Sequence, residues 1–441
     1  MNELSTIPRK AERIRDVIRY IRMFKNATVV IYIDDELLNS PLFSSHIRDI
    51  CLIHEAGLKV LIVPGARKRI DQVLAESNIK WTMHNSCRIT SEDAMPLIKM
   101  AAFDVSNQIM TALAGEKRTA VIGNWVRARG KGVIDGFDYC TSGEIDKLQE
   151  ESITAILEEG FIPIFPCIGW SLTGKPYNIS SIQLAQQIAI HLKADKLFFM
   201  MPSLEISSKN FSIPENIGLS HEKCVPAMNL EELDLFIRNN KDKNTSVISL
   251  LTLAKQACKE GVSRVHIING SLDGTLPCEI FSNLGSGTMI YKSNYGGIRA
   301  MTREDIPALL NLIRPFVEKG ILLPRTEQQL QEQFQNYIVY ELDNGIRACA
   351  ALIPYDDNQM EIAAVAVDET FAHIGIGPKM INYLIDKAKA QKAKCVFVLT
   401  TQTSDWFEKL GFKNSPIESL PEKRKKIWTP NRGSKVFRLT F

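Results

Sequence analysis

Residues 361–377 begin Glu361-Ile-Ala-Ala-Val-Ala-Val367 and, after Asp-Glu-Thr, continue Phe371-Ala-His-Ile-Gly375-Ile-Gly377. The first seven carry a single carboxylate among apolar side chains, the composition of a strand buried over most of its surface. Two glycines then lead into Pro378, which suits a first helical turn because its missing N–H is not needed there. A strand, a glycine loop and a helix in that order gather backbone N–H groups and the positive end of a helix, which fits an anion such as a pyrophosphate. A Gly-x-Gly pair is equally at home in an ordinary tight turn, and these residues alone leave both readings open.

Outward from this stretch the pattern divides in two. Upstream lie a short strand from Ile298, helix Thr302–Lys319, and strands Tyr337–Leu342, Ile346–Pro354 and Gln359–Val367. Downstream lie helix Pro378–Ala390, strand Cys395–Thr401 and helix Ser404–Leu410, closed by Gly411-Phe412. Hairpin strands followed by one strand-helix-strand unit predict a compact α+β domain over residues 298–441. Residues 1–289 have another rhythm. Strands Ala27–Ile33 and Lys59–Val63 flank helix Ser44–Ala56. The alternation continues through helix Ser91–Leu113, a hairpin between Arg118 and Tyr139, helix Gln149–Glu159, strand Phe161–Phe165, helix Ser181–Leu192 and strand Lys196–Met200. After an irregular excursion over Met201–Val225 it ends with helix Asn244–Glu260 and strand Arg264–Ile268. Such a βαβ rhythm predicts a largely parallel sheet with helices on its faces. The Gly- and Asn-rich stretch 290–297 reads as the linker.

Composition excludes several classes. A chain of 441 residues exceeds the roughly 100–200 of one ordinary domain, and 45% hydrophobic with 23% charged residues is a globular balance. No apolar run approaches the roughly 20 residues that span a bilayer, so no membrane partner is expected. Lys plus Arg number 53 and Asp plus Glu 50, which argues against a nucleic-acid binder. Residues 1–13 carry no apolar signal segment, which points to the cytoplasm. The nine cysteines have no C-x-x-C or zinc-finger spacing. They read as reduced core thiols, and no metal site is expected.

Further residues carry a resemblance. Strand, glycine loop and helix, then a strand ending Leu399-Thr-Thr401 and the segment Asp405-Trp-Phe-Glu-Lys-Leu-Gly-Phe412, resemble the acetyl-coenzyme A-binding GNAT acyltransferases. Phe397-Val-Leu-Thr-Thr-Gln-Thr403 before Trp406-Phe407, the segment Leu312-Ile-Arg-Pro-Phe-Val-Glu-Lys-Gly-Ile-Leu-Leu-Pro-Arg325, and Asn431-Arg-Gly-Ser-Lys-Val436 are similar to the N-acetylglutamate synthase family. These are the amino-acid acetyltransferases that open bacterial arginine synthesis. Upstream, Phe43-Ser-Ser, Pro64-Gly-Ala-Arg67, Asp138-Tyr-Cys140, Ser171-Leu-Thr-Gly174 and Asp273-Gly resemble the amino-acid-kinase-like domain of the family's long form. The resemblance implies a three-layer αβα sandwich followed by a GNAT domain, and transfer of acetyl from acetyl-coenzyme A to the amino group of L-glutamate.

That chemistry needs a neutral amine, so a group must take a proton. Glu361, the one carboxylate of its strand, is the expected base, with burial raising its pKa toward a useful range; a solvated edge Glu is the plainer alternative. The resemblance implies that the Thr400 hydroxyl serves the departing thiolate, although a threonine in a strand needs no such reason. A backbone N–H near Val365–Val367 would meet the thioester oxyanion. Val365, Val367, Gly375, Gly377, Pro378, Lys379, Trp406 and Phe407 are implied at the coenzyme. Arg325 and Leu323 are implied at the substrate's α-carboxylate, with Arg432 and Ser434 at the side-chain carboxylate, where planar guanidinium forks suit carboxylates. Cys349 and Cys395 read as core residues rather than nucleophiles, and Lys423-Arg-Lys-Lys426 as a solvated turn. One departure is plain: Ala372 stands where the superfamily has Arg or Gln, which predicts weaker coenzyme binding.

In the first domain Tyr32-Ile-Asp-Asp35 replaces the kinases' Lys-x-Gly-Gly and brings two negative charges where a phosphate would sit, so kinase activity is not expected. An N-terminal helix with Tyr20, and residues His266, Glu279, Gly285, Gly287 and Thr288, resemble an L-arginine pocket, with Glu279 facing the guanidinium. A homo-oligomer is expected. Two rival readings stand beside this one: a catalytically degenerate arginine-binding assembly protein, and a GNAT enzyme acting on another amine.

Overall fold

The computed structural model describes residues 14–15, 17–18, 20–85, 87–214, 217–220, 222–243, 245–281, 285–292, 296–342, 345–355, 357–369, 371, 375–428 and 433–441. The chain parts into two compact units, residues 1–292 and 293–441.

The first unit is built on an eight-stranded sheet. Its strands lie in the order Ala227–Asn229, Thr288–Tyr291, Arg264–Asn269, Lys196–Met201, Thr28–Ile33, Lys59–Pro64, Ile162–Ile164, Ala120–Ile122. Its pairs are parallel except Arg264–Asn269 with Thr288–Tyr291. Successive strand residues face opposite sides, and here both sides are buried: Val29, Ile31 and Ile33 join one apolar cluster while Val30 and Tyr32 join another. Helices Phe43–Glu55 and Met95–Gly115 cover the first face, and Ser181–His191 and Thr245–Lys259 the second. The result is the expected αβα sandwich. Each fully buried Val or Ile contributes about 1.5–3 kcal/mol relative to exposure.

Three features differ from the sequence reading. The single hairpin between Arg118 and Tyr139 is instead an edge strand of the main sheet, Ala120–Ile122, a strand Val126–Gly130 paired with Gly143–Leu148, and a small hairpin of Val133–Ile134 with Phe137–Asp138. Four glycines, at 123, 130, 132 and 136, allow more than one turn in that stretch, where a single hairpin needs one. Helices Arg67–Glu76 and Leu230–Asn239 went unread; the second opens with a capping box between Asn229 and Glu232. The stretch read as a linker, 290–297, is strand at both ends, in Thr288–Tyr291 and Gly296–Ala300.

The second unit holds a seven-stranded sheet. The order is Gly296–Ala300, Tyr337–Leu342, Gly345–Pro354, Gln359–Val367, Cys395–Thr400, Lys435–Thr440, Lys413–Ser415. Only Gln359–Val367 and Cys395–Thr400 run parallel. Helix Ile376–Ala390 packs on one face through Met380, Ile381 and Leu384, and helix Ile306–Glu318 on the other through Leu309 and Ile313. Among the described residues no helix is long and apolar enough to cross a membrane.

Candidate active site and effector site

The parallel pairing of Gln359–Val367 with Cys395–Thr400 spans only Gln359–Glu361 against Cys395–Phe397. On its other side the same strand slips register: Ala363 opposes Ala351 but Ala366 opposes Cys349, so Ala364 and Val365 together face Ala350. This is a β-bulge, and Ala364 takes φ 52°, a left-handed conformation strained for a residue with a Cβ. A bulge frees backbone groups from the ladder. It falls within reach of the Val365–Val367 segment, where the sequence reading sets the oxyanion contact.

Glu361 is 5% exposed and is not alone. Its Oε2 accepts from Tyr355 Oη at 2.9 Å and from Arg424 Nε at 2.8 Å. Tyr355 reaches it because the turn before the strand closes with Tyr355 N–H donating to the Gln359 carbonyl at 2.9 Å. The tyrosine ring packs against Phe397, the strand partner of Glu361, with centroids 5.8 Å apart. Burial, then the charge of Glu361 and its hydrogen bond, pushes the Tyr355 hydroxyl well above its usual range, so it stays a donor. Arg424 belongs to the short helix Glu422–Lys425, and its side chain is 13% exposed. The solvated-turn reading of 423–426 therefore fails at Arg424, whose partner lies 63 positions away and left no local signal.

Glu361 and Arg424 line one cavity with Leu323, Arg325, Trp428 and Ser434. Two guanidinium groups against one carboxylate give the lining a net positive charge, which favours an anionic ligand. Arg325 directly precedes Thr326, the N-cap of helix Glu327–Gln333, whose capping box of Thr326 and Gln329 fixes where the loop ends. Beside it, burial pushes the buried Tyr337 hydroxyl up while the Arg325 charge pulls the other way. Leu323 is half-exposed. Arg432 lies outside the described residues. Arg424 and Trp428 are two polar cavity residues that sequence reasoning missed, along with apolar ones such as Ile313 and Leu399.

Thr400 ends its strand buried, with Oγ1 2.7 Å from Thr403 Oγ1 and accepting from Thr403 N at 3.1 Å. Its hydroxyl thus also ties the turn into helix Ser404–Lys409. Gly375 stands at the N-terminus of helix Ile376–Ala390 with φ 75°, and Gly377 and Pro378 are in its first turn. A Cβ on Gly377 would lie 3.1 Å from the Trp406 ring and 3.8 Å from Val367, so these three meet closely. Phe407 is buried against Phe412, centroids 5.5 Å apart. A 15-residue helix whose N-terminus starts on glycines fits a pyrophosphate; Ala372 lies outside the described residues. Burial pushes the Cys349 thiol up to about 12, which makes it a poor nucleophile. Among the described residues no group of three or more His, Cys, Asp or Glu is placed to hold a metal ion.

In the first unit, His266 Nδ1 lies 2.7 Å from Glu279 Oε1, and Gly287 N–H donates to Glu279 Oε2 at 2.9 Å. The ring of Phe198 stacks on His266 at 4.6 Å. Burial lowers the His266 pKa to about 4, so the ring is neutral and Nδ1–H donates. Burial works to raise the Glu279 carboxyl, but the His266 and backbone N–H donors outweigh it and hold it below its usual range. A Cβ on Gly285 would fall 2.3 Å from Glu279 Oε2, so only glycine lets the chain pass there. Thr288 Oγ1 donates to the Val225 carbonyl at 2.6 Å, and the buried Tyr20 ring stacks on Phe24 at 6.1 Å. His266, Glu279, Gly285 and Gly287 thus come together. At the end of the first strand Asp34 caps helix Asp35–Leu38 and Asp35 accepts from Lys68 N–H, two carboxylates that repel phosphate.

Comparisons with known proteins agree with this architecture. Residues 27–269 match the amino acid kinase family and residues 306–412 the acetyltransferase (GNAT) family. An amino-acid acetyltransferase of Vibrio vulnificus is 33% identical over 431 residues, covering 95% of this chain and 96% of that one. One from Yersinia pseudotuberculosis is 32% identical, with 99% of each chain covered. A crystal structure of N-acetylglutamate synthase from Neisseria gonorrhoeae, complexed with coenzyme A and L-arginine, is similar with a TM-score of 0.81 and 29% identity, covering 98% of this chain and 99% of that one. A second, with coenzyme A and N-acetyl-glutamate, has a TM-score of 0.62 and 30% identity over the same shares of each chain. With the kinase-type sandwich, the GNAT sheet and a near full-length relative all in agreement, the chain belongs to the amino-acid acetyltransferase family and is an acyltransferase.

Proposed function

We propose that the chain transfers the acetyl group of acetyl-coenzyme A to the α-amino group of L-glutamate, the first step of arginine synthesis, and that L-arginine binds the kinase-type unit as an effector. The observation that carries the reading is a buried carboxylate, Glu361, sharing one cavity with Arg325 and Ser434 inside a GNAT-family unit. Glu361 takes a proton from the substrate ammonium, and the freed lone pair attacks the thioester carbon. A backbone N–H at the Ala364–Val365 bulge meets the oxyanion. The C–S bond breaks, and the Thr400 hydroxyl donates to the leaving thiolate as it takes up the second proton that the attacking nitrogen sheds, so that sulfur leaves as the thiol and the threonine is restored.

Arg325 and Leu323 take the α-carboxylate and Arg432 and Ser434 the other one. Gly375, Gly377, Pro378 and Lys379 hold the coenzyme pyrophosphate, with Val365, Val367, Trp406 and Phe407 alongside. Crystal structures of the Neisseria gonorrhoeae relative carry coenzyme A with L-arginine or with N-acetyl-glutamate, which supports the ligand classes. The kinase-type unit has no kinase activity in this reading, occupies about residues 1–289, and builds a homo-oligomer. The protein acts in the cytoplasm.

One assay tests the proposal: thiol release from acetyl-coenzyme A with L-glutamate, L-aspartate, 4-aminobutyrate or a lysine peptide, with and without L-arginine. Release is expected with L-glutamate above all and altered by L-arginine. Preference for the lysine peptide overturns the substrate, and a rate indifferent to L-arginine overturns the effector.

A further inference from the structure

The two donors on Glu361 both end on Oε2, and among the described residues Oε1 has no hydrogen-bond partner. They come from separate elements: Tyr355 from the turn before the strand, Arg424 from helix Glu422–Lys425. We propose that Tyr355 and Arg424 are positioning residues that clamp one oxygen of Glu361, so that the other faces the amine as the proton acceptor. The inference rests on the reading of Glu361 as the base.

A glutamate side chain at the edge of a cavity has rotamers to choose from, and two charge-assisted donors on one oxygen remove that freedom. Glu361 is the single titratable group of residues 359–367. The groups that face it are the Tyr355 hydroxyl, Arg424, and Arg325 from the loop across the cavity. Tyr355 cannot become an anion that competes, because burial beside Glu361 keeps its proton in place. The ammonium loses two N–H bonds in all: Glu361 takes the first proton and passes it to solvent, and the second, shed by the nitrogen after attack, ends on sulfur as the C–S bond breaks.

The test is steady-state kinetics of the full chain with Tyr355→Phe, Arg424→Gln and Glu361→Gln, and the double variant Tyr355→Phe/Glu361→Gln. Tyr355→Phe keeps the ring against Phe397, so its fold is safe. The clamp predicts that it lowers kcat about ten- to hundredfold, the range of one hydrogen bond to a charged group. The KM for acetyl-coenzyme A should stay unchanged, the split between kcat and KM that a positioning role gives. Arg424→Gln, which removes the other donor, should lower kcat with the same split. In the Glu361→Gln background, Tyr355→Phe should subtract nothing more from the residual rate. Wild-type kcat in Tyr355→Phe, or an equal loss with and without Glu361, overturns the clamp and leaves the base reading standing. A fully active Glu361→Gln overturns the base reading itself.

Discussion

His266 titrates far below its usual value of about 6.5 because its ring is buried, reaching about 4 in the folded unit. Between these two values the unfolded chain binds a proton that the folded chain refuses, so more protons are held on unfolding. Stability contributed by this group is present above about pH 6.5 and is lost as pH falls toward 4. Melting temperature followed from pH 7 to pH 4 should therefore drop more steeply in the wild type than in His266→Gln, whose amide can still donate to Glu279 without titrating. Equal slopes would remove the assigned protonation. At this scale some residues were legible and some were not. Glu361 stood out as a lone carboxylate in an apolar strand, and Arg325 followed from the resemblance. Arg424 sat in a run of four basic residues that looks like any solvated turn, and only folding brings it to Glu361 across 63 positions.

Helix Ile376–Ala390 starts on a left-handed glycine, and its second residue, Gly377, faces the ring of Trp406. A side chain there meets the indole at a distance tighter than ordinary contact, and β-branching adds bulk within the first turn. Gly377→Val is thus expected to raise the coenzyme A dissociation constant about tenfold or more, an effect of cradle shape, while the L-arginine affinity of the other unit stays as it was. Calorimetric titration reads both. An unchanged coenzyme affinity would detach the helix N-terminus from the coenzyme. The strand, loop and helix were readable because hydrophobic period and glycine position coincide there. The bulge at Ala364 was not readable, since Ala-Ala inside an apolar run carries no turn chemistry and the slip is set by the partner strand. The small strands between 120 and 148 were misread for the opposite reason: repeated glycines gave turn signals without saying which strands they join.

Across the whole chain, the change from βαβ alternation to hairpins predicted two architectures, and two compact units follow it. Burial explains why the first was the easier to read. Its central strands are apolar on both faces, so their composition announces a covered parallel sheet. Helix Leu230–Asn239 was hidden by polar residues whose role is capping. Both units are needed by the proposed activity and its control, but the chemistry depends on one side chain. The most direct measurement is L-glutamate-dependent thiol release by Glu361→Gln against the wild type across pH 6–10. The account predicts a kcat at least about a hundredfold lower, the scale of a lost general base, with the KM for acetyl-coenzyme A unchanged. A variant that turns over at the wild-type rate throughout that range would contradict it.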